Sequence, residues 1–238
     1  MIARLHQMKL RARLRLAKLV VRNDFQALFS QHEPRIRYLD AVWCNPMDIR
    51  LSTRYFIPKK GGYLHSGREL DKNELGKKQH QFIVPGGWDQ KTTPIEDVKH
   101  ITRTIDHFDK GLDWHTVGEV TWMMDNIAEY GVQDDCRNLE DVTVRCDAID
   151  RLKQSIQQGG RFYSRRELNP DNFREKGGIG ICLSRNGDII WFSDGAHRLA
   201  IAQLLCLKEV PVCVYMIHPD AISNGTWKEK IYFERRYQ

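Results

Sequence analysis

Five consecutive residues, Asp194-Gly195-Ala196-His197-Arg198, carry the side chains best suited to chemistry. They fall between Asp188–Phe192, a β-branched and aromatic run entered from an Asn186-Gly187 turn, and a helix with Leu199, Ala202, Leu205 and Cys206 on one face. Asp194 is placed to cap that helix, and Gly195 permits a backbone conformation that other residues avoid. His197 and Arg198 then fall in the first turn. Free backbone N–H groups, the positive end of the helix dipole, a guanidinium fork and an imidazole would meet at one spot, as phosphate or carboxylate binding requires. The same residues also read as a capped helix with a surface histidine and arginine.

Several elements must position this turn. Ile179–Ser184 and Asp188–Phe192 form a hairpin through Arg185-Asn186-Gly187, and Val210–Met216 is a further strand. Val142 to Gln158 is a helix with Val142, Ile149, Leu152 and Ile156 on one face, ended by Gly159-Gly160. Arg161 to Lys176 is a polar connection. Ile36 to Leu51 reads as a strand, a turn at Asn45-Pro46 and a short following segment.

Between these lies a stretch of mixed character. Pro58 to Lys78 reads as an exposed loop, and Phe82-Ile83-Val84 as a short strand. Pro85-Gly86-Gly87-Trp88-Asp89 is either a ligand-facing loop or a packed tryptophan beside a solvated aspartate. Thr93-Pro94, with Glu96 and Asp97, opens a helix that carries Ile95, Val98, Ile101, Ile105 and Phe108 inward as far as Gly111. His100 and His107 are seven apart, off the i, i+4 spacing of helical metal pairs, and read as surface residues. Glu119 to Tyr130 is another helix. Trp227, Tyr232 and Phe233 are packing anchors near the end.

The net charge of +6 is unevenly placed. Residues 1–22 hold seven basic residues and no acid, so the other residues sum to −1. The basic stretch reads as a helix over 1–29 with Leu10, Leu14, Ala17 and Val21 as its apolar stripe, suited to a nucleic-acid backbone, an anionic membrane surface or packing on its own domain or a partner. The near-neutral body argues against a broad nucleic-acid-binding surface. The six cysteines form no C-x-x-C and no zinc spacing. Cys182 and Cys213 sit in core strands and Cys206 on a buried helix face, which favours free thiols in a reducing compartment. With no signal-peptide pattern and no membrane-spanning run, a cytoplasmic location is expected.

Three spaced motifs carry a resemblance: Ser155-Ile156-Gln157-Gln158-Gly159, Gly195-Ala196-His197-Arg198 and Val210-Pro211-Val212. In this order they resemble the ParB/sulfiredoxin-like superfamily, over roughly Val142 to Ile217. The resemblance implies an α+β fold, a mixed sheet with flanking helices. It places the core at 36–51 and 142–217, with a large, mostly helical insertion at about 52–140. A basic helix over 1–30 would precede this domain of residues 31–238. Sulfiredoxins carry a catalytic cysteine directly after the turn glycine, where this chain has Ala196, so sulfinic-acid chemistry has no nucleophile. Partition-type ParB proteins have a second arginine and a glutamate in the turn, followed by helix-turn-helix and dimerisation domains. This chain has His197 in the turn and neither domain is expected after Ile217, so chromosome partitioning by centromere reading is not the expected role.

The turn is most similar to the D-G-H-H-R of free serine kinases of that superfamily, with one histidine missing. By this resemblance Gly195, Ala196, His197 and Arg198 would hold the phosphates of a nucleotide (ATP, ADP or CTP). Asp194 would hold Mg²⁺ or act as base, His197 and Asp89 would be catalytic, and Glu96 is a further carboxylate. The expected activity is phosphoryl transfer to an unidentified small-molecule acceptor, or nucleotide hydrolysis. The alternatives are a DNA-associated ParB-like protein with nuclease action, using residues 1–22, and a ligand-binding regulator without turnover.

Overall fold

The computed structural model describes Leu39 and residues 41–53, 83–172, 174–192 and 194–236. The expected basic N-terminal helix and the Pro58–Lys78 loop lie outside the described residues. In chain order the strands are β1 (Ala41–Cys44), β2 (Leu51–Thr53), β3 (Thr92–Pro94), β4 (Ile179–Leu183), β5 (Ile189–Trp191) and β6 (Val210–Ile217). The helices are α1 (Lys99–Lys110), α2 (Glu119–Tyr130), α3 (Leu139–Gln157), α4 (Arg165–Leu168), α5 (Ala196–Leu204) and α6 (Pro219–Asn224).

The strands join in one mixed sheet in the order β1-β6-β4-β5-β2-β3. The β4–β5 hairpin is antiparallel and closes at Ser184–Asp188, with Gly187 at φ 77°. Parallel pairings flank it, β4 with β6 and β5 with β2, and antiparallel edges finish the sheet. The chain is therefore α+β. The segment expected as an insertion is woven into this sheet: β3 pairs with β2, Ile95 N–H donates to the Arg50 carbonyl at 2.9 Å, and α1 packs on α5.

Alternation along the strands divides the core. One face carries Ile179, Ile181 and Leu183 of β4 and Val210, Val212 and Val214 of β6, covered by Leu199, Ala200 and Ala202 of α5 and Ile101 of α1. The other face carries Cys182, Ile190, Phe192 and Met216 under Trp88. Ile181 pairs with Val214 but Cys182 pairs with Met216, so Tyr215 is an extra residue in β6. This bulge turns Tyr215 and Met216 together toward the second face. A separate apolar cluster joins Trp114 to Val120, Met123 and Ile127 of α2 and to Val142 and Cys146 of α3.

Several local expectations shift. Helix α1 begins at Lys99 rather than beside Thr93-Pro94, because Pro94 stays extended in β3 and Ile95–Asp97 form a single 3-10 turn. The polar connection after α3 contains the short helix α4, closed by a capping box between Ser164 and Glu167. Cys206 is exposed, contrary to its expected burial, because α5 ends at Leu204 and Cys206 turns the chain at φ 48°. The other five cysteines are buried and free. Among the described residues, no helix is long and apolar enough to cross a membrane.

Candidate functional site

The turn into α5 begins at Gly195, which caps the helix at φ 74° with no side-chain cap bond. A Cβ there would lie 2.7 Å from both the Gly178 carbonyl oxygen and the Ile179 Cα. The glycine is thus required by the close approach of the chain's own backbone. Asp194 does not cap the helix as expected. Its Oδ2 accepts from the Tyr215 hydroxyl, and its carbonyl accepts from Gly180 N–H at 3.1 Å and from Trp191 Nε1 at 2.9 Å. The bulge in β6 is what aims Tyr215 at this carboxylate.

Arg198 leaves the turn in another direction. It is buried, its Nη2 donates to the Tyr163 carbonyl, and its guanidinium lies 4.3 Å from the centre of the Phe162 ring. Nε has no hydrogen-bond partner. Burial, helped by the neighbouring Arg165 charge and opposed by Glu175, holds its pKa down to about 10. Glu175 is itself fully buried and accepts Arg165 N–H at 2.9 and 2.8 Å. Burial raises its pKa against that bond and against the Arg198 charge. Arg198 is therefore a buried cation behind the helix start, not the surface fork that the sequence suggested.

His197 points to the helices. Its Nδ1 is 2.7 Å from Thr104 Oγ1, and its Nε2 is 3.4 Å from Oε1 of Glu119. Glu119, the first residue of α2 and 1% exposed, is shared with His100, whose Nδ1 lies 3.0 and 3.1 Å from its two oxygens. Arg103 Nη1 completes the surround at 3.3 Å from Oε2. Trp122 stands edge-on to His100 and Trp114 edge-on to His197, with ring centres 4.2 and 5.9 Å apart. Burial alone would raise the Glu119 pKa, but hydrogen bonds and charge from His100 and His197 outweigh it and hold the carboxyl well below the ordinary range. His100, Glu119 and His197 are also the one group among the described residues whose ligand atoms lie close enough to hold a metal ion, all within 4.8 Å of one another.

The structure does not bring the other sequence candidates to this cluster. Asp89 forms a two-pronged ion pair with Arg185 in the β4–β5 turn, at 2.8 Å on each oxygen, and also accepts Arg185 N–H at 2.9 Å. That turn lies at the opposite end of β5 from the start of α5. Glu96 is exposed, and its carbonyl accepts from the Thr102 hydroxyl at 2.5 Å. His107, like His100, is not a free surface residue: it stacks on Trp114 at 4.0 Å and reaches Asp150 Oδ1 at 3.0 Å.

Sequence reasoning missed His100, Arg103, Thr104 and Glu119. The first three share one face of α1 by their i, i+3, i+4 spacing, which was there to read. Glu119 looked like an ordinary first-turn acid, and only its burial gives it away. Compared with protein-family models, with curated proteins and with solved structures, the chain matches none.

Proposed function

We propose that the chain is a nucleotide-binding member of the ParB/sulfiredoxin-like superfamily that transfers or hydrolyses a phosphoryl group at the start of α5. The observation that carries this reading is the position of His197. The helix-start histidine is held between Thr104 and a buried glutamate that a second histidine shares, so an anion-receptive turn adjoins a buried acid–base cluster. The backbone of Gly195 and Ala196 meets phosphate oxygens, and the buried Arg198 adds positive charge from behind. Asp194, half-buried and steadied by Tyr215, is the carboxylate for Mg²⁺. An acceptor hydroxyl or water attacks the terminal phosphorus and its proton passes to the His197–Glu119 pair. The bond to the bridging oxygen breaks, and the electron pair leaves with the nucleotide.

The test is binding and turnover of ATP, ADP and CTP with Mg²⁺ by calorimetry and phosphate release. His197→Gln should abolish turnover while nucleotide affinity changes less than about ten-fold, a split that marks loss of a transition-state contact. Loss of affinity alone, with no turnover in the parent, assigns a ligand-binding regulator. No nucleotide binding by the parent chain overturns the reading.

A further inference from the structure

The proton arrangement around His197 is constrained by its neighbours. Thr104 Oγ1 lies 2.6 Å from the His100 carbonyl, and only the hydroxyl proton can bridge two oxygens at that distance. The hydroxyl is thereby committed as a donor, and toward His197 it accepts, so the proton sits on Nδ1. The other ring nitrogen, Nε2, then faces the Glu119 carboxylate with a lone pair unless it carries a second proton or meets a cation. His100 Nδ1 faces the same carboxylate at 3.0 and 3.1 Å, donating to it in one tautomer and presenting a lone pair in the other.

Distances favour a cation. A charge-assisted N–H···O bond is about 2.7–2.9 Å long, whereas His197 Nε2 stands 3.4 Å from Oε1. Ligand atoms around a tetrahedral ion with bonds of ~2.0–2.2 Å sit about 3.3–3.6 Å apart. The 3.4 Å edge from Oε1 to His197 matches that spacing, the 3.0 Å edge to His100 is shorter, and all three ligand atoms lie within 4.8 Å of one another, so the ion would draw the two imidazoles toward a common centre. The surround also has the form of a metal site: Thr104 fixes the ring of one histidine through its far nitrogen, and Arg103 holds the other carboxylate oxygen.

We propose that His100 Nδ1, His197 Nε2 and Glu119 Oε1 bind one Zn²⁺-class transition-metal ion. Two imidazoles select such an ion over Mg²⁺, and three protein ligands leave a fourth position open, the pattern of catalytic rather than structural zinc. Arg103 and the ion together outweigh the single Glu119 charge, so the open position favours an anionic oxygen. This deepens the phosphoryl-transfer reading and rests on it for the identity of that anion, a phosphate oxygen or a hydroxide derived from bound water. With the ion bound, His197 Nε2 and Glu119 Oε1 are ligands, and such a hydroxide takes the place of the His197–Glu119 pair as proton acceptor.

The experiment uses the full chain stripped by a chelator, with Cys206→Ser as a parallel control because Cys206 is the exposed thiol. Zn²⁺ alone should bind at one ion per chain and raise Tm, and Co²⁺ should give the intense visible bands of a four-coordinate site. His100→Gln and His197→Gln should each weaken Zn²⁺ binding more than about 100-fold, while Arg103→Gln keeps the stoichiometry. If His197→Gln fails to fold, His100→Gln decides, because its ring is half-exposed. Absence of stoichiometric Zn²⁺ binding in the parent, or parental affinity in His100→Gln, overturns the proposal. Nucleotide binding measured in chelator separates the two readings: nucleotide without metal sinks only the metal site, and metal without nucleotide sinks only the nucleotide reading.

Discussion

At the level of single residues, burial separates carboxylates that look alike in the sequence. Asp89 and Glu119 are both almost wholly buried as side chains, yet Asp89 is closed on one arginine while Glu119 is shared among three basic groups. Burial would raise the Asp89 pKa, but hydrogen bonds and charge from Arg185, with a smaller part from His218, lower it overall. A carboxyl with a lowered folded-state pKa contributes stability above its unfolded value of about 3.9, and loses it as pH falls through the folded value. Asp89→Asn should therefore lower Tm at neutral pH and flatten the loss of Tm below about pH 4, without changing nucleotide affinity. Calorimetric melts from pH 7 to 3 check this. An Asp89→Asn chain that melts like the parent but loses turnover would restore Asp89 to the catalytic set.

At the level of elements, the β5–α5 turn is held by contact with β4. Gly195 crosses within van der Waals reach of Gly178 and Ile179 in a left-handed conformation. Gly195→Ala carries ~1–2 kcal/mol of left-handed strain plus the clash. The expected cost is at least ~2 kcal/mol, or a Tm lower by about 5 °C or more in a chain of this size. Ala196→Ser should be tolerated, and a thermal melt of both variants decides. The sequence places a phosphate beside this glycine, whereas the structure places the Gly178 and Ile179 backbone there, so the cost falls on stability as well as on affinity. What was legible is what local spacing encodes: the β4–β5 hairpin with its Asn186-Gly187 turn, the helix after Gly195, α2 ending at Gly131 and the Asn45-Pro46 turn. What was not legible depends on packing between distant segments. His197 meets Thr104 across 93 positions, and no periodicity in either helix announces that α1 lies on α5.

At the level of the whole molecule, the charge split sets the remaining test. The seven basic residues of 1–22 stand apart from a body near neutrality. A chain beginning at Asp24 should keep the Tm and nucleotide affinity of the parent. It should also lose any DNA binding that weakens steeply with salt. A melt many degrees lower would show that residues 1–22 pack on the domain. Salt-sensitive DNA binding that survives the deletion would move the nucleic-acid contact onto the body.

The sheet order has a consequence for synthesis. β1 pairs with β6 and, through Trp43, with Tyr232, and β2 is held by β5 and β3, so the first two strands among the described residues depend on segments ending at Trp191 and Ile217 or beyond. Until Ile217 leaves the ribosome, Val42 and Trp43 have no sheet to join, and the Glu119 carboxylate awaits the helix that bears His197. Helices α1 to α3 can condense around Trp114 and Met123 well before that, as a helical intermediate with exposed apolar flanks. The nascent chain thus carries unpaired strand segments through most of its elongation, the state in which chaperones are most needed.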